Sequence, residues 1–153
     1  MGRTDFSEME CSIARTLEVV GERWSLLIIR DAFYGVRRFE DFQRDLGIAR
    51  NILTDRLKKL IEQGVLERRP YEERPTRYEY RLTESGRDLL PVLLTLMSWG
   101  DKWATGNGPP VKIRHLTCGH DVEPVLTCNH CHDELRRRDV RAHPIRIQAA
   151  RGA

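Results

Sequence analysis

The amino-acid sequence predicts a mainly α-helical fold with one small β-hairpin, followed by a C-terminal segment of different composition. The prediction comes from two consecutive amphipathic helices, a basic and proline-containing hairpin directly after them, and a strongly apolar helix after that. The chain has 153 residues, of which 32% are charged, and a formal net charge of +3. These values suit one modest domain with a small appendage and a mildly basic surface.

The N-terminal elements are predicted from the spacing of apolar residues. Residues 1–10 are polar and are expected to be flexible. Directly after them, Ile13, Leu17 and Val20 recur at i, i+4 and i+7, which indicates a short amphipathic helix. Residues 24–34 are apolar on two sides, so this second helix is expected at the centre of the core.

Two further helices follow, separated by a tight turn. In the first, Phe39, Phe42 and Leu46 recur at i, i+3 and i+7 and precede Gly47, a residue that commonly ends helices. The second is predicted at about residues 49–63. Its apolar face consists of Leu53, Leu57, Leu60 and Ile61. Its opposite face is polar and mainly cationic, with Arg50, Asn51, Thr54, Asp55, Lys58 and Lys59.

A β-hairpin is predicted directly after these helices. Residues 66–69 form one short strand, residues 77–82 form its alternating partner, and residues 70–75 form the turn. Arg74 is near the tip, where an arginine can enter a narrow minor groove or contact a phosphate. The alternative is that Arg74 pairs with a neighbouring glutamate. Helices in this order, followed by such a hairpin, define a winged helix-turn-helix, whose second helix fits the DNA major groove.

The polar helix face is interpreted as a DNA-reading surface, although a solvated face is the alternative. The recognition helix (about 49–63) would enter the major groove, and the wing (about 68–80) would contact the backbone or minor groove. Residues 36–82 contain 12 Lys/Arg against 9 Asp/Glu, so charge alone would not identify a DNA-binding region. We therefore expect binding to depend on two copies. The predicted DNA-binding residues are Arg37, Arg38, Arg50, Asn51, Thr54, Lys58, Lys59, Arg74 and Arg77.

A long helix is predicted from Thr83 to about Trp103, with a kink at Pro91. Apolar residues surround almost the whole helix, and a small domain cannot cover such a surface alone. The sequence therefore predicts a twofold homodimer. The alternative is a monomer in which the C-terminal tail covers the exposed side. The predicted dimerisation residues are Ile13, Leu17, Leu93, Met97, Trp99 and Trp103.

These segments together resemble the HxlR family of bacterial winged-helix transcription regulators. The matching stretches are Cys11, LEVVGERW (17–24), GVRRFEDF (35–42), GIARNILTDRL (47–57), LIEQGVL (60–66) and YEYRLTESGR (78–87). The resemblance covers residues 11–103, about two-thirds of the chain. It implies a homodimer that binds a pseudo-palindromic operator, joined through its first and last helices, and it implies no catalytic activity. Repression is the expected mode of regulation.

Cys11 matches an N-terminal cysteine that some members of this family use to sense oxidants or electrophiles. Sensing requires a thiolate, and Cys11 is near the start of the first helix with Arg15 one turn on. The alternative is that Cys11 is a small buried side chain. The inducer would then be a small molecule.

The C-terminal appendage, residues 106–143, contains three of the four cysteines and all five histidines. Cys128 and Cys131 have the spacing of a zinc knuckle, and Cys118 is a candidate third ligand. A four-ligand site would be structural. Its alternative is a hairpin without metal, with or without a labile disulfide. The predicted ligands are Cys118, Cys128 and Cys131, with His120 or His132 as the fourth. Residues 144–153 are expected to be disordered.

The sequence therefore favours a DNA-binding regulator in the cytoplasm. No N-terminal run resembles a signal peptide, and the longest apolar stretch, residues 89–97, is too short to span a bilayer, so no membrane partner is expected. The alternative function is a protein-interaction module that uses the winged-helix scaffold and a zinc-binding tail. The arginines at 136–138 would serve a partner or remain solvated. An enzyme is not predicted, because no acid, base and nucleophile occur together at a plausible site.

Overall fold

The computed structural model describes Phe6 and residues 8–142, and it divides into two compact units, one ending at Gly108 and one beginning at Pro109. The predicted disordered tail (144–153) is outside the described residues, as are residues 1–5, 7 and 143. The first unit contains α1 (Ser12–Val20), α2 (Ser25–Phe33), α3 (Phe39–Leu46), α4 (Arg50–Glu62), β1 (Leu66–Glu73), β2 (Thr76–Leu82), α5 (Glu84–Arg87) and α6 (Leu90–Trp103).

Helix α2 is at the centre of the hydrophobic core, as its two apolar sides predict. Ile28 and Ile29 are completely buried, together with Phe42 of α3 and Leu53 of α4. The burial of apolar area from five helices and the base of the hairpin is the main force that holds this unit together. The other buried apolar residues of the cluster are Val20, Ile48, Leu57, Leu60, Val65, Leu66 and Leu93.

The turn between α3 and α4 fixes the orientation of the second helix. Gly47 has φ +61°, a left-handed conformation that glycine adopts without the steric cost of a Cβ atom. Ile48 is buried directly after it, and Ala49 is the N-cap of α4. Because the apolar side of α4 is buried in the core, its polar side is exposed to solvent.

The hairpin is longer than the sequence predicted. Leu66 pairs with Leu82 at its base, and β1 continues past Pro70 to Glu73, so the predicted turn at residues 70–75 is too long. Pro70 is tolerated because each strand of a two-stranded sheet has a free edge, and the register shifts directly after it. Arg74 is at the tip, as predicted.

The predicted single long helix with a kink at Pro91 is wrong. Thr83 caps the short helix α5 by accepting a hydrogen bond from the N–H of Gly86 at 3.1 Å, and a new helix begins at Leu90. Pro91 is in the first turn of α6, where its missing N–H leaves no helical hydrogen bond unmade. Among the residues that the structure describes, no helix combines the length and apolarity needed to cross a membrane.

Candidate nucleic-acid interface

The exposed side of α4 forms a shallow groove on the protein surface. Its lining residues are Arg50, Asn51, Thr54, Asp55 and Lys58. Four of these five were predicted to bind DNA, and the fold brings them together because the opposite side of the helix is buried. The groove begins at the first turn of the helix, where the backbone N–H groups give a partial positive charge.

Arg50 is held in place without a carboxylate partner among the described residues. Its guanidinium carbon is 4.8 Å from the centre of the Phe39 ring, a cation–π distance. The hydroxyl of Thr54 donates to the carbonyl oxygen of Arg50 at 2.9 Å, and the residue is exposed. Arg50 can therefore present its planar donors without first breaking an ion pair.

Lys59, which was predicted to bind DNA, instead takes part in an ion-pair network within the protomer. Its Nζ is 3.0 Å from Asp55 and 3.4 Å from Glu22. Arg56 contacts the same two carboxylates at 2.6 and 2.7 Å. The hydrogen bond from Lys59 lowers the pKa of Asp55. Glu22 lies two residues after the end of α1, so this network holds the end of α1 against α4, and it was not predicted from the sequence.

Lys58 remains available to a phosphate. Its Nζ is 3.7 Å from Glu62 one turn further along α4, and both side chains are exposed. Exposed pairs of this kind contribute about 0–1 kcal/mol, so a DNA phosphate can replace Glu62 at little cost.

The wing also presents arginines to solvent. Arg77 is 3.3 Å from Glu72, and contacts with Tyr71 and Glu72 raise the pKa of its guanidinium. Arg74 has no ion pair with any residue that the structure describes, so the predicted alternative of a glutamate partner is not observed. Arg38 lies over the ring of Tyr71 at 4.7 Å.

Two more exposed basic residues lie in the hairpin or in the segment attached to it. Arg37 is exposed, and its carbonyl oxygen accepts a hydrogen bond from the Tyr80 N–H at 2.8 Å, which attaches the segment before α3 to β2. Arg68 is not among the predicted DNA-binding residues. It is exposed on β1, and its guanidinium carbon lies 4.0 Å from the centre of the Tyr78 ring. The alternation of the two strands could have predicted this contact, because cross-strand pairing places Arg68 opposite Tyr80, on the same face of the hairpin as Tyr78.

An apolar surface remains uncovered on α6 and α1. Trp99 and Trp103 are 63% and 68% exposed, and Ile13 of α1 is 72% exposed. Leu93 was predicted at a dimer interface but is buried in the core of its own protomer, and Met97 is half-buried. The exposed stripe of α6 is Val92, Leu96, Trp99 and Trp103, at i, i+4, i+7 and i+11.

Cys11 is exposed and is the N-cap residue of α1. Its thiol makes no capping hydrogen bond, while its carbonyl oxygen accepts from the Arg15 N–H at 3.0 Å. The alternative of a buried structural cysteine is therefore wrong, because the side chain is open to reagents.

The second unit brings the predicted metal ligands together only in part. His120 Nδ1 contacts the carbonyl oxygen of Cys118 at 2.9 Å, whereas the histidine nearest the Cys118 sulfur is His115, at 3.2 Å. The N–H groups of Cys131 and His130 are directed at Cys128 and lower the pKa of its thiol. Among the described residues, no three His, Cys, Asp or Glu side chains form a ready metal site.

Comparison with known proteins gives independent evidence on the fold and family of this chain. A family model described as HxlR-like helix-turn-helix matches residues 19–107. The uncharacterised HTH-type transcriptional regulator Rv3095 of Mycobacterium tuberculosis H37Rv is 52% identical over 134 residues, which cover 87% of this chain and 85% of that protein. The candidate transcription factor PA1607 is 37% identical with a TM-score of 0.82, over 92% of this chain and 99% of that one. The redox regulator HypR in its reduced form is 33% identical with a TM-score of 0.57, over 60% of this chain and 92% of that one.

Proposed function

This chain belongs to the HxlR family of helix-turn-helix transcription regulators, and from that premise we propose that it binds a pseudo-palindromic operator as a homodimer and represses transcription by occupying it. Each protomer places α4 in a major groove and its β-hairpin wing along the adjacent backbone or minor groove. The two half-sites are then about one helical turn, roughly 34–36 Å, apart.

The observation that carries the proposal is the first turn of α4, whose exposed polar residues project from a helix anchored in the core. Arg50 has donors that match O6 and N7 of guanine, and Asn51 has the donor and acceptor that match N6 and N7 of adenine. Lys58, Arg74 and Arg77 supply phosphate contacts that set the register without selecting a sequence.

Replacing Asn51 by alanine is expected to weaken binding to the specific operator by about 1–3 kcal/mol, or roughly 5- to 150-fold, because one bidentate base contact is lost. Binding to unrelated duplex is expected to stay unchanged, since no phosphate contact is removed. The operator is first selected from random duplexes with the wild-type protein, and affinities are then measured by fluorescence anisotropy at several salt concentrations.

The matched control is Asn107→Ala, an exposed asparagine outside the helix-turn-helix. It should bind like the wild type. A Lys58→Ala variant should instead lose affinity for all duplexes. The slope of the logarithm of the binding constant against the logarithm of the salt concentration should become shallower by about one. If the Asn51→Ala protein kept wild-type affinity and base preference, α4 would not be the surface that reads the DNA sequence.

We further propose that Cys11 makes operator binding responsive to oxidants or electrophiles. HypR, a redox regulator, shares the fold, and here the exposed thiol is at the start of α1, next to the exposed Ile13. Diamide would oxidise the Cys11 thiol and an added glutathione thiol to a mixed disulfide, and the two electrons and two protons that the thiols lose reduce diamide to its hydrazine. The added tripeptide would alter how α1 packs in the dimer.

The expected result is that diamide with glutathione lowers the operator affinity of the wild-type protein at least tenfold, whereas Cys11→Ser binds the operator normally and does not respond. Cys118→Ser is the control, because it removes a thiol from the C-terminal unit and should leave the response intact. An unchanged response in the Cys11→Ser protein would exclude this cysteine as the sensor.

A further inference from the structure

The C-terminal unit repeats one backbone pattern at an offset of 13 residues. Its first copy has hydrogen bonds from the N–H of residue 119 to the oxygen of 115, from 115 to 120 and from 122 to 113, at 2.8, 2.8 and 2.6 Å. The second copy has them from 132 to 128, from 128 to 133 and from 135 to 126, at 2.9, 2.9 and 2.8 Å. The β-bridges between 114 and 121 and between 127 and 134 follow the same offset.

The repeat extends to an unusual backbone conformation. Gly119 has φ +74°, and its equivalent His132 has φ +63°. Among the described residues, His132 is the one non-glycine with positive φ, a conformation that costs energy for a residue with a Cβ atom. Each copy is therefore the same tight turn, and the second copy keeps it although no glycine is present.

The equivalence aligns two pairs of metal-binding side chains. His115 corresponds to Cys128 and Cys118 corresponds to Cys131, so each turn contains two donors separated by two residues. His115 Nδ1 is 3.2 Å from Cys118 Sγ. Zn–N and Zn–S bonds of about 2.0–2.1 and 2.3 Å at a tetrahedral angle separate two donor atoms by about 3.5 Å. The first pair therefore already has nearly the spacing that a shared ion requires.

The described part of this unit has neither a hydrophobic core nor a disulfide to stabilise it. Within residues 109–142 no side chain is buried, and Leu116 is 93% exposed. All three cysteines of the unit are free thiols. Segments of about 40 residues or fewer usually need a metal or disulfides to fold. The family model that matches this chain ends at residue 107, so it assigns no role to the unit.

We propose that the C-terminal unit is a structural zinc site in which His115, Cys118, Cys128 and Cys131 bind one Zn²⁺ ion. Three thiolates and one imidazole are a closed tetrahedral set, which leaves no position for a substrate. No three of these donors already surround one point among the described residues, so the ion is bound as the two turns close on each other. Binding displaces three thiol protons.

The test measures zinc in the full-length protein after purification without chelator. We expect about one zinc ion per chain in the wild type. His115→Ala should lower the zinc content at least tenfold after competition with a chelator. His120→Ala removes the histidine next to the site and should keep wild-type zinc. His115→Cys replaces one ligand by another and should also keep it, which separates the loss of a ligand from general misfolding.

A second measurement follows the fold of the unit. Limited proteolysis should cleave beyond Gly108 rapidly in EDTA-treated protein and slowly after zinc is restored, while residues 8–108 stay protected in both states. Wild-type protein without stoichiometric zinc would overturn the proposal. So would a His115→Ala protein that keeps its zinc while the His120→Ala protein loses it.

Discussion

Replacing Phe42 by alanine is expected to lower the free energy of unfolding by about 3–5 kcal/mol, because a fully buried aromatic ring is removed from the core. The ring packs against α2 and α4 residues of the same cluster, and it meets Tyr80 edge-to-face at 6.4 Å and 76°. Domains of this size have a total stability of about 5–15 kcal/mol, so much of the population would unfold near physiological temperature.

Urea denaturation followed by circular dichroism measures this effect, at one protein concentration because a dimer is stabilised by mass action. Phe42→Leu should cost less, since it fills part of the same space. Tyr34→Ala is the matched control, because Tyr34 is an aromatic residue that is half exposed. If Phe42→Ala and Tyr34→Ala had the same midpoint, the proposed centre of the core would be wrong.

Replacing Trp99 by glutamate is expected to convert the proposed homodimer into monomers and to weaken operator binding at least about 100-fold, or about 2.7 kcal/mol. A twofold interface contains each residue twice, so one substitution removes two tryptophan rings and introduces two carboxylates. A buried aromatic ring contributes about 150–250 Å² of contact area, and an unpaired buried carboxylate is strongly unfavourable. Monomers also lose the second half-site of the operator.

Sedimentation equilibrium at micromolar concentration gives the association state, and anisotropy gives the DNA affinity. Ser98→Glu introduces the same charge at an exposed position about 100° around α6 from Trp99 and outside the apolar stripe, and it should remain dimeric with normal affinity. A Trp99→Glu protein that stays dimeric would place the interface elsewhere. The thermal stability of the Trp99→Glu protein is the control for folding. Because Trp99 is exposed and does not belong to the core of its own protomer, the substitution should leave the protomer folded.

Local patterns predicted most of the fold. The apolar spacing located α1 to α4, and Gly47 located the turn of the helix-turn-helix. The break before α6 was missed because Pro91 is compatible with either a kink inside a helix or the first turn of a new one. Leu93 was assigned to the wrong surface for a related reason: when apolar residues surround a helix, the sequence does not show which of them face the core.

The residues predicted to read DNA are exposed on α4 as expected, whereas some of their ion pairs were not predicted. Arg50 and Asn51 are exposed where the pattern placed them. The partner of Lys59 was missed because Glu22 is 37 residues away, and no periodicity connects the two. His115, which we propose as a zinc ligand, is not among the predicted ligands, although its spacing to Cys118 equals that of Cys128 to Cys131, because a zinc knuckle is expected from a pair of cysteines.

The ion pairs of Glu22 and Asp55 with Arg56 and Lys59 have a consequence for how the protein reaches DNA. They cancel much of the positive charge on the later turns of α4, so the uncompensated charge is concentrated at Arg50 and the positive end of the helix dipole. In the field of a polyanion this asymmetry exerts a torque on the diffusing protein. We therefore expect the N-terminal end of α4 to approach DNA foremost, and we expect the association rate to fall as salt screens the field.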